Sequence, residues 1–450
     1  MRRFFGTDGV RGKAGVYPLT AEFVLKLGQA AAKIFQNGNK KHSIVIGKDT
    51  RMSGYIFEYA IVSGLCSRGV NAILVGVLPT PAVAYLIKSL RADAGIVISA
   101  SHNPYNDNGI KFFNSSGYKL SDELEEEMEN YLDKVDDYSP DLIGKAYRID
   151  TAIWRYVEYV KTTFDKDVDL KGLKIVVDCA NGATYKVAPL ALSELGAELV
   201  VINNKPDGCN INANCGSIHP EMAAAEVIKH KANLGITFDG DGDRVIFIDE
   251  NGRIINGDFI LGICARYMNE LGKLNRSSIV ATVMSNLGLS LTLKKYGINV
   301  LSCPVGDRYV VDTMIKDGLN LGGEQSGHIV FLDYNSTGDG LISALQLLKI
   351  LVKKNVPLSH LADDIELLPQ IHKNLKVNKR VSVNELKETN KLLNYIKNEL
   401  GDGGRVFLRY SGTEKILRIM LEGSNEDKLN IFAGNILDVA KKEIENFIEV

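Results

Sequence analysis

The sequence predicts an α/β fold: three related α/β domains with mixed sheets around a central cleft, plus a C-terminal α+β domain. Three observations predict it. A strand, turn, helix, glycine, strand pattern occurs three times, which is the signature of a βαβ unit. Each occurrence continues into a second helical stretch, a glycine-bearing strand, a loop and one more apolar strand. After Pro369 the plan changes, as expected of an appendage with its own core. The expected domains are 1–152, 153–255, 256–368 and 369–450.

The first strands of the three units are Ile-Val-Ile-Gly at 44–47, Lys-Ile-Val-Val at 174–177 and Ile-Val-Ala-Thr at 279–282. Each leads through a polar turn into a helical stretch that ends near Gly69, Gly196 or Gly297. Glycine suits a helix end because the left-handed conformation costs it little. Pro79 and Pro81, Pro220, and Pro304 then introduce the second helical stretch. Third strands follow at Gly95, Gly235 and Gly322, and each runs into a loop before another apolar strand. The three loops read Ser-Ala-Ser-His-Asn-Pro, Asp-Gly-Asp-Gly-Asp-Arg and Gly-Glu-Gln-Ser-Gly-His. Divergence confined to equivalent loops is what a shared cleft would produce. In the tail, strands are expected at 373–377, 406–409 and 416–421, and helices at 385–400 and 426–448.

The chain has 450 residues, too many for one ordinary core, and 45% are apolar, enough for several. A formal net charge of −2 gives no electrostatic support to a nucleic-acid or membrane-surface role. The six cysteines form no Cys-x-x-Cys pair, so reduced buried thiols are expected. The start lacks a signal-peptide pattern and no apolar run reaches the ~18 residues of a membrane span. A soluble, cytoplasmic protein without nucleic-acid or membrane partners is expected.

The loop after Gly95 places Ser101 and His102 at the end of a short apolar strand, with Pro104 restricting it. Open α/β sheets bind ligands at that end of their strands. A polar turn with an N-cap serine reads equally well from these residues alone. In the second loop, Asp239, Asp241 and Asp243 alternate with glycines that let the backbone curl. Three bare carboxylates ~4 Å apart would repel by roughly 4 kcal/mol per pair at an effective dielectric near 20. Arg244 is the loop's own counter-charge, and a divalent cation would do more. Oxygen-only ligands in a compact loop favour magnesium. Glu250 completes an EF-hand-like spacing, but Arg244 occupies the position that needs glycine and a strand follows. In the third loop, Glu324 and Ser326 can accept hydrogen bonds from hydroxyl groups, and His328 can titrate near neutral pH. The alternative there is an ordinary tight turn and a packed histidine. The tail turn Arg-Tyr-Ser-Gly-Thr-Glu at 409–414 offers Arg409 for bidentate phosphate binding, with Ser411, Gly412 and Thr413 as further donors.

Ser-Ala-Ser-His-Asn-Pro with Asn108-Gly109-Ile110-Lys111 resembles the active-serine loop of the phosphohexose mutases. The aspartate loop resembles their magnesium loop, the Glu324 loop their sugar-discriminating loop, and the Arg409 turn, aided by Arg418, their distal phosphate clamp. The opening Phe5-Gly-Thr-Asp-Gly-Val-Arg11-Gly12, Gln325, and the Val305-Gly-Asp-Arg-Tyr-Val310 stretch resemble the glucosamine branch. Gly47-Lys-Asp-Thr-Arg51 fits the wider family. Lys415 stands where the family commonly has proline.

The resemblance implies that Ser101 carries a phosphoryl group. Ser101, Asp239, Asp241 and Asp243 would hold one magnesium ion, and Arg11 and Lys111 would stabilise transferring charge. It places His102 and His328 among the catalytic groups and Arg244 among those binding substrate. The implied reaction interconverts glucosamine 6-phosphate and glucosamine 1-phosphate through a 1,6-bisphosphate. That bisphosphate, or a kinase, would supply the first phosphoryl group, and the product would feed UDP-N-acetylglucosamine synthesis. The proton-transfer residue stays open among His328, Lys111 and Arg11, and the oligomeric state is monomer or homodimer. Rival readings are a glucose or mannose phosphate mutase, a magnesium-dependent sugar phosphatase and a non-catalytic sugar-phosphate sensor.

Overall fold

The computed structural model describes residues 3–6, 8–36, 41–132, 134, 143–410 and 415–447. The chain divides into two compact units, one of residues 1–284 and 297–364, the other of 285–296 and 365–450.

The first unit contains three sheets. Their strands are β1 (Phe5–Gly6), β2 (Gly9–Lys13), β3 (Ser43–Lys48), β4 (Asn71–Val77), β5 (Ala94–Ile98), β6 (Asp107–Asn114) and β7 (Ala146–Arg148) in the first. The second has β8 (Lys174–Asp178), β9 (Glu198–Ile202), β10 (Leu234–Phe238), β11 (Val245–Ile248) and β12 (Ile254–Ile255). The third has β13 (Ser278–Thr282), β14 (Asn299–Cys303), β15 (Leu321–Gly323) and β16 (Ile329–Phe331). One order is common to all three: β6-β5-β3-β4, β11-β10-β8-β9 and β16-β15-β13-β14. In each, three strands run parallel and the last returns antiparallel beside the third. The expected threefold plan with mixed sheets is therefore the architecture of this unit.

The first sheet is larger than the repeat predicts. A short hairpin, β1–β2, adds to β6, and β7 adds to β4. The hairpin brings Arg11 opposite Gly109 in the serine-loop strand. β5 is buried at every position, as a strand covered on both faces must be. Its neighbours in the core include Val10, Leu27, Ile44, Ile61 and Phe112. The helix Gly340–Lys354 is buried nearly all round and starts at Asp339, whose carboxylate caps Leu341 and Ile342 N–H at 3.1 and 3.0 Å.

The second unit has an antiparallel sheet in the order β17 (Gln370–Lys376), β19 (Ile416–Glu422), β18 (Arg405–Tyr410). Helices Lys387–Leu400 and Glu426–Asn446 cover it through Ile396, Ile419, Leu421, Leu429 and Ile436. The helix Leu287–Lys295, which follows β13 in sequence, belongs to this unit. Asn286 caps it and also donates to Leu368 O at 2.9 Å.

Among the described residues, no helix is long and apolar enough to cross a membrane.

Candidate active site

The three divergent loops all lie at the turn from the third to the fourth strand of their sheets, within the first unit. Backbone bonds tie them together. Val245 N–H donates to Gly327 O and Gly340 N–H donates to Gly242 O, both at 3.0 Å. Thr80 N–H donates to Asp241 O at 2.9 Å. The acidic loop thus meets the third loop at Gly327 and the helix after β4 at Thr80, and it meets the serine loop through Ser101 and Asp239.

Ser101 is 1% exposed and adopts φ 52°, a left-handed conformation that a non-glycine residue takes only when its surroundings hold it. The surroundings do so. Arg51, fully buried, donates to Ser101 O at 2.9 Å and Asn103 O at 2.8 Å, while its Nε pairs with Asp49. Asp49 accepts from Ser99 Oγ at 2.6 Å, and Ser99 Oγ accepts from Ser101 N–H at 2.9 Å. From the turns that follow β9, Asn212 donates to Ser101 O at 2.9 Å. This cradle aims Ser101 Oγ at Asp239 Oδ2, 2.6 Å away. His102 Nδ1 lies 3.3 Å from Ser101 Oγ.

Asp239, Asp241 and Asp243 are buried, and one carboxylate oxygen from each lies within 4.8 Å of the others. Gly242, at φ 69°, supplies the left-handed step between the second and third. The main counter-charge comes from outside the loop. Lys111 Nζ, on β6, lies 2.8 Å from Asp241, 3.2 Å from Asp8 and 3.6 Å from Asp243. Arg244 Nε is 3.9 Å from Asp243. Burial pushes Asp241 up, but the Lys111 charge and hydrogen bonds from Lys111 and Thr80 outweigh it and hold that carboxyl well below its usual range. Asp239 goes the other way: burial, then the charges of Asp243 and Asp241, raise it well above an ordinary aspartate. Asp241 Oδ1 and Asp243 Oδ1 are buried without hydrogen-bond partners among the described residues. Two orphaned oxygens and one carboxyl that resists ionisation fit a divalent cation, which would satisfy all three.

Ser101, His102, Arg11, Arg244, Glu324 and His328 all line one cavity of about 380 Å³, together with Asp8, Asp243 and Asp307. Glu324 accepts from Gly306 N–H and Ser326 Oγ, both at 3.1 Å. Lys111 is not on the cavity wall; its ammonium is engaged by the three carboxylates. Arg11 is bound to Asp8. His102 is pushed down to about 4, first by burial and then by the Arg244 and Arg11 charges, so it is neutral at pH 7. Lys111 and Arg11 are both raised: burial lowers each, but the Asp241 and Asp8 charges overcome it for Lys111, and the Asp8 and Asp241 charges for Arg11.

Arg409 and Arg418 belong to the second unit, where they are paired across β18 and β19 and both exposed. Ser411, Gly412 and Thr413 lie outside the described residues.

Sequence reasoning did not single out Asp8, Lys119 or Asp307. Lys119 bridges Asp8 and Asp307 and so links the first sheet's domain to the third. Asp8 and Asp307 lie inside the motifs at 5–12 and 305–310, but their pairing through Lys119 joins residues 111 and 188 positions apart. Lys119 itself had no local signal.

Four domain descriptions of one family match the chain in order. They are phosphoglucomutase/phosphomannomutase α/β/α domain I over residues 2–139, domain II over 154–252, domain III over 256–368 and the C-terminal domain over 373–439. The chain belongs to this family, and is an enzyme of the isomerase class. A phosphoglucosamine mutase from Citrifermentans bemidjiense is 53% identical over 99% of both chains. A phosphoglucosamine mutase from Geobacter metallireducens is 52% identical over the same shares. By these relatives the chain falls among the phosphoglucosamine mutases. A solved phosphoglucomutase/phosphomannomutase family protein from Burkholderia thailandensis has a TM-score of 0.82 at 25% identity, covering 97% of each chain.

Proposed function

We propose that Ser101, as its phosphoserine, interconverts glucosamine 6-phosphate and glucosamine 1-phosphate by way of glucosamine 1,6-bisphosphate. The observation that carries the assignment is the 2.6 Å contact from Ser101 Oγ to Asp239, on the wall of a cavity that also holds Glu324 and Arg244.

In the first half-reaction the Oγ–P bond breaks and a bond forms between phosphorus and the free sugar hydroxyl. The hydroxyl proton ends on Ser101 Oγ, so the step balances without water. Arg11 and Lys111 stay protonated and cannot accept that proton at neutral pH. His102, neutral and 3.3 Å from Oγ, can carry it. The bisphosphate then returns its other phosphoryl group to Ser101 by the reverse chemistry. Glu324 and Ser326 hold ring hydroxyls, and Arg244 opposes phosphoryl charge from the cavity wall. The second phosphate is assigned to Arg409, Ser411, Gly412, Thr413 and Arg418, on the family resemblance.

Asp239, Asp241 and Asp243, with a phosphoserine oxygen, would hold one magnesium ion. Bound there, it would withdraw electron density from the phosphoryl group. The bisphosphate, or a kinase, primes Ser101. We place the enzyme in the cytoplasm, as monomer or homodimer, supplying UDP-N-acetylglucosamine synthesis.

The test is isomer exchange with glucosamine, glucose and mannose 6-phosphates, with and without magnesium. Magnesium-dependent formation of glucosamine 1-phosphate, fastest of the three, supports the reading. Steady release of inorganic phosphate without exchange would establish a phosphatase instead.

A further inference from the structure

On the wall of the same cavity lies a polar corner that the reaction as described does not use. His328 Nε2 is 3.7 Å from Asp307 Oδ2, and ligand atoms of Asp307, His328 and Asp243 lie within 4.8 Å of one another. His328 is 1% exposed, yet neither ring nitrogen has a hydrogen-bond partner among the described residues. A buried imidazole left in that state forfeits about 1–3 kcal/mol unless something else satisfies it. Its ring is also held in place, since a Cβ at Gly338 would stand 2.4 Å from His328 Nε2.

Asp307 is equally fixed. It opens the helix Asp307–Asp317, its Oδ1 accepts from Arg308 N–H at 2.7 Å, and its Oδ2 is paired with Lys119. Two oxygens offer about four acceptor positions, so part of that capacity remains. Lys119 divides its charge between Asp307 and Asp8. The corner therefore has a carboxylate only partly compensated and a partnerless acceptor beside it.

We propose that Asp307 and His328 receive the ammonium group of an amino-sugar phosphate and so select it over glucose and mannose phosphates. This rests on the functional reading above. An ammonium brings three donors and a full charge, of which Asp307 takes the charge and His328 takes one N–H through a ring nitrogen. A hydroxyl at the same carbon brings one donor and no charge. Asp243 closes the corner but is committed to the acidic triad. Lys119 already holds the Asp307 oxygen that faces His328, which makes the corner a poorer match for a divalent ion than for a monovalent donor.

The experiment compares kcat/KM for glucosamine 6-phosphate and glucose 6-phosphate in the wild type and in Asp307→Asn. The expected result is a loss of about 10- to 100-fold on the amino sugar, with the glucose substrate changed by less than about threefold. Retained glucose turnover also shows that the variant folds. An equal loss on both sugars, or none on either, overturns the proposal. As a measurement independent of that variant, Ser101→Ala protein should bind glucosamine 6-phosphate about tenfold more tightly than glucose 6-phosphate. Equal affinities overturn it, as does a second magnesium equivalent that Asp307→Asn abolishes without altering sugar preference. If the wild type exchanges glucose phosphates but not glucosamine phosphates, the functional reading itself fails and takes this one with it.

Discussion

Ser101 Oγ donates to Asp239 Oδ2 over 2.6 Å, though 138 residues separate the two in sequence. A nucleophile on one domain is thereby held against the acidic loop of the next. Asp239→Asn keeps an acceptor there and removes the charge. Turnover at saturating magnesium should fall roughly 100-fold or more, because a direct contact in the cation site is altered. Without magnesium the melting temperature should be unchanged or higher, because the amide replaces a carboxyl that resists ionisation among its neighbours. Undiminished turnover at saturating magnesium would remove Asp239 from the cation site.

The raised Asp239 makes magnesium binding dependent on pH. A folded-state carboxyl above its unfolded value holds a proton the unfolded chain has lost, so this group lowers stability as pH rises from about 4. A bound cation must displace that proton. Magnesium should therefore raise the melting temperature by more as the pH is raised from about 4 upward. A magnesium effect of constant size across the whole range would contradict the raised carboxyl.

His102 gives the opposite slope. Its folded-state value of about 4 lies below the ~6.5 of an unfolded histidine, so the unfolded chain binds the extra proton between those limits. The stability contributed by this group rises with pH across that window. Urea denaturation at pH 4.5 and 6.5 should show a smaller difference for His102→Gln than for wild type.

Lys111 is 1% exposed and faces Asp241, Asp8 and Asp243. Lys111→Met leaves those carboxylates without their main counter-charge. We expect a loss of roughly 3–5 kcal/mol in urea denaturation without metal, partly restored by magnesium. A cost below about 1 kcal/mol would show that other groups carry the neutralisation.

Gly240 tests the approach of the two loops by sterics alone. A Cβ there would stand 2.6 Å from Ser101 O and 2.8 Å from Asn212 Nδ2. Gly240→Ala should push the serine loop off the triad and lower kcat far more than it raises KM. Wild-type kcat would contradict so tight an approach.

Much of this was legible in the sequence, for identifiable reasons. Strand cores such as residues 96–98 and 279–281 are continuous apolar runs, so the fold class and its threefold plan could be read from local pattern. Ser101 and the three aspartates could be read because their chemistry is concentrated in two short loops. The edge strands escaped, since Phe5–Gly6, Gly9–Lys13 and Ala146–Arg148 are short or polar and form only against a sheet already present. The Asp8, Lys119 and Asp307 network escaped because it depends on pairing between distant segments. In sequence Lys111 resembles a group acting on phosphoryl charge, and its engagement with three carboxylates is visible only in three dimensions.

The most direct test of the central claim is intact-mass analysis with peptide mapping after incubation with glucosamine 1,6-bisphosphate and magnesium. One added phosphoryl group, on Ser101 and absent from Ser101→Ala, is the predicted result. Isomer exchange by a protein that never gains a phosphoryl group there would contradict it.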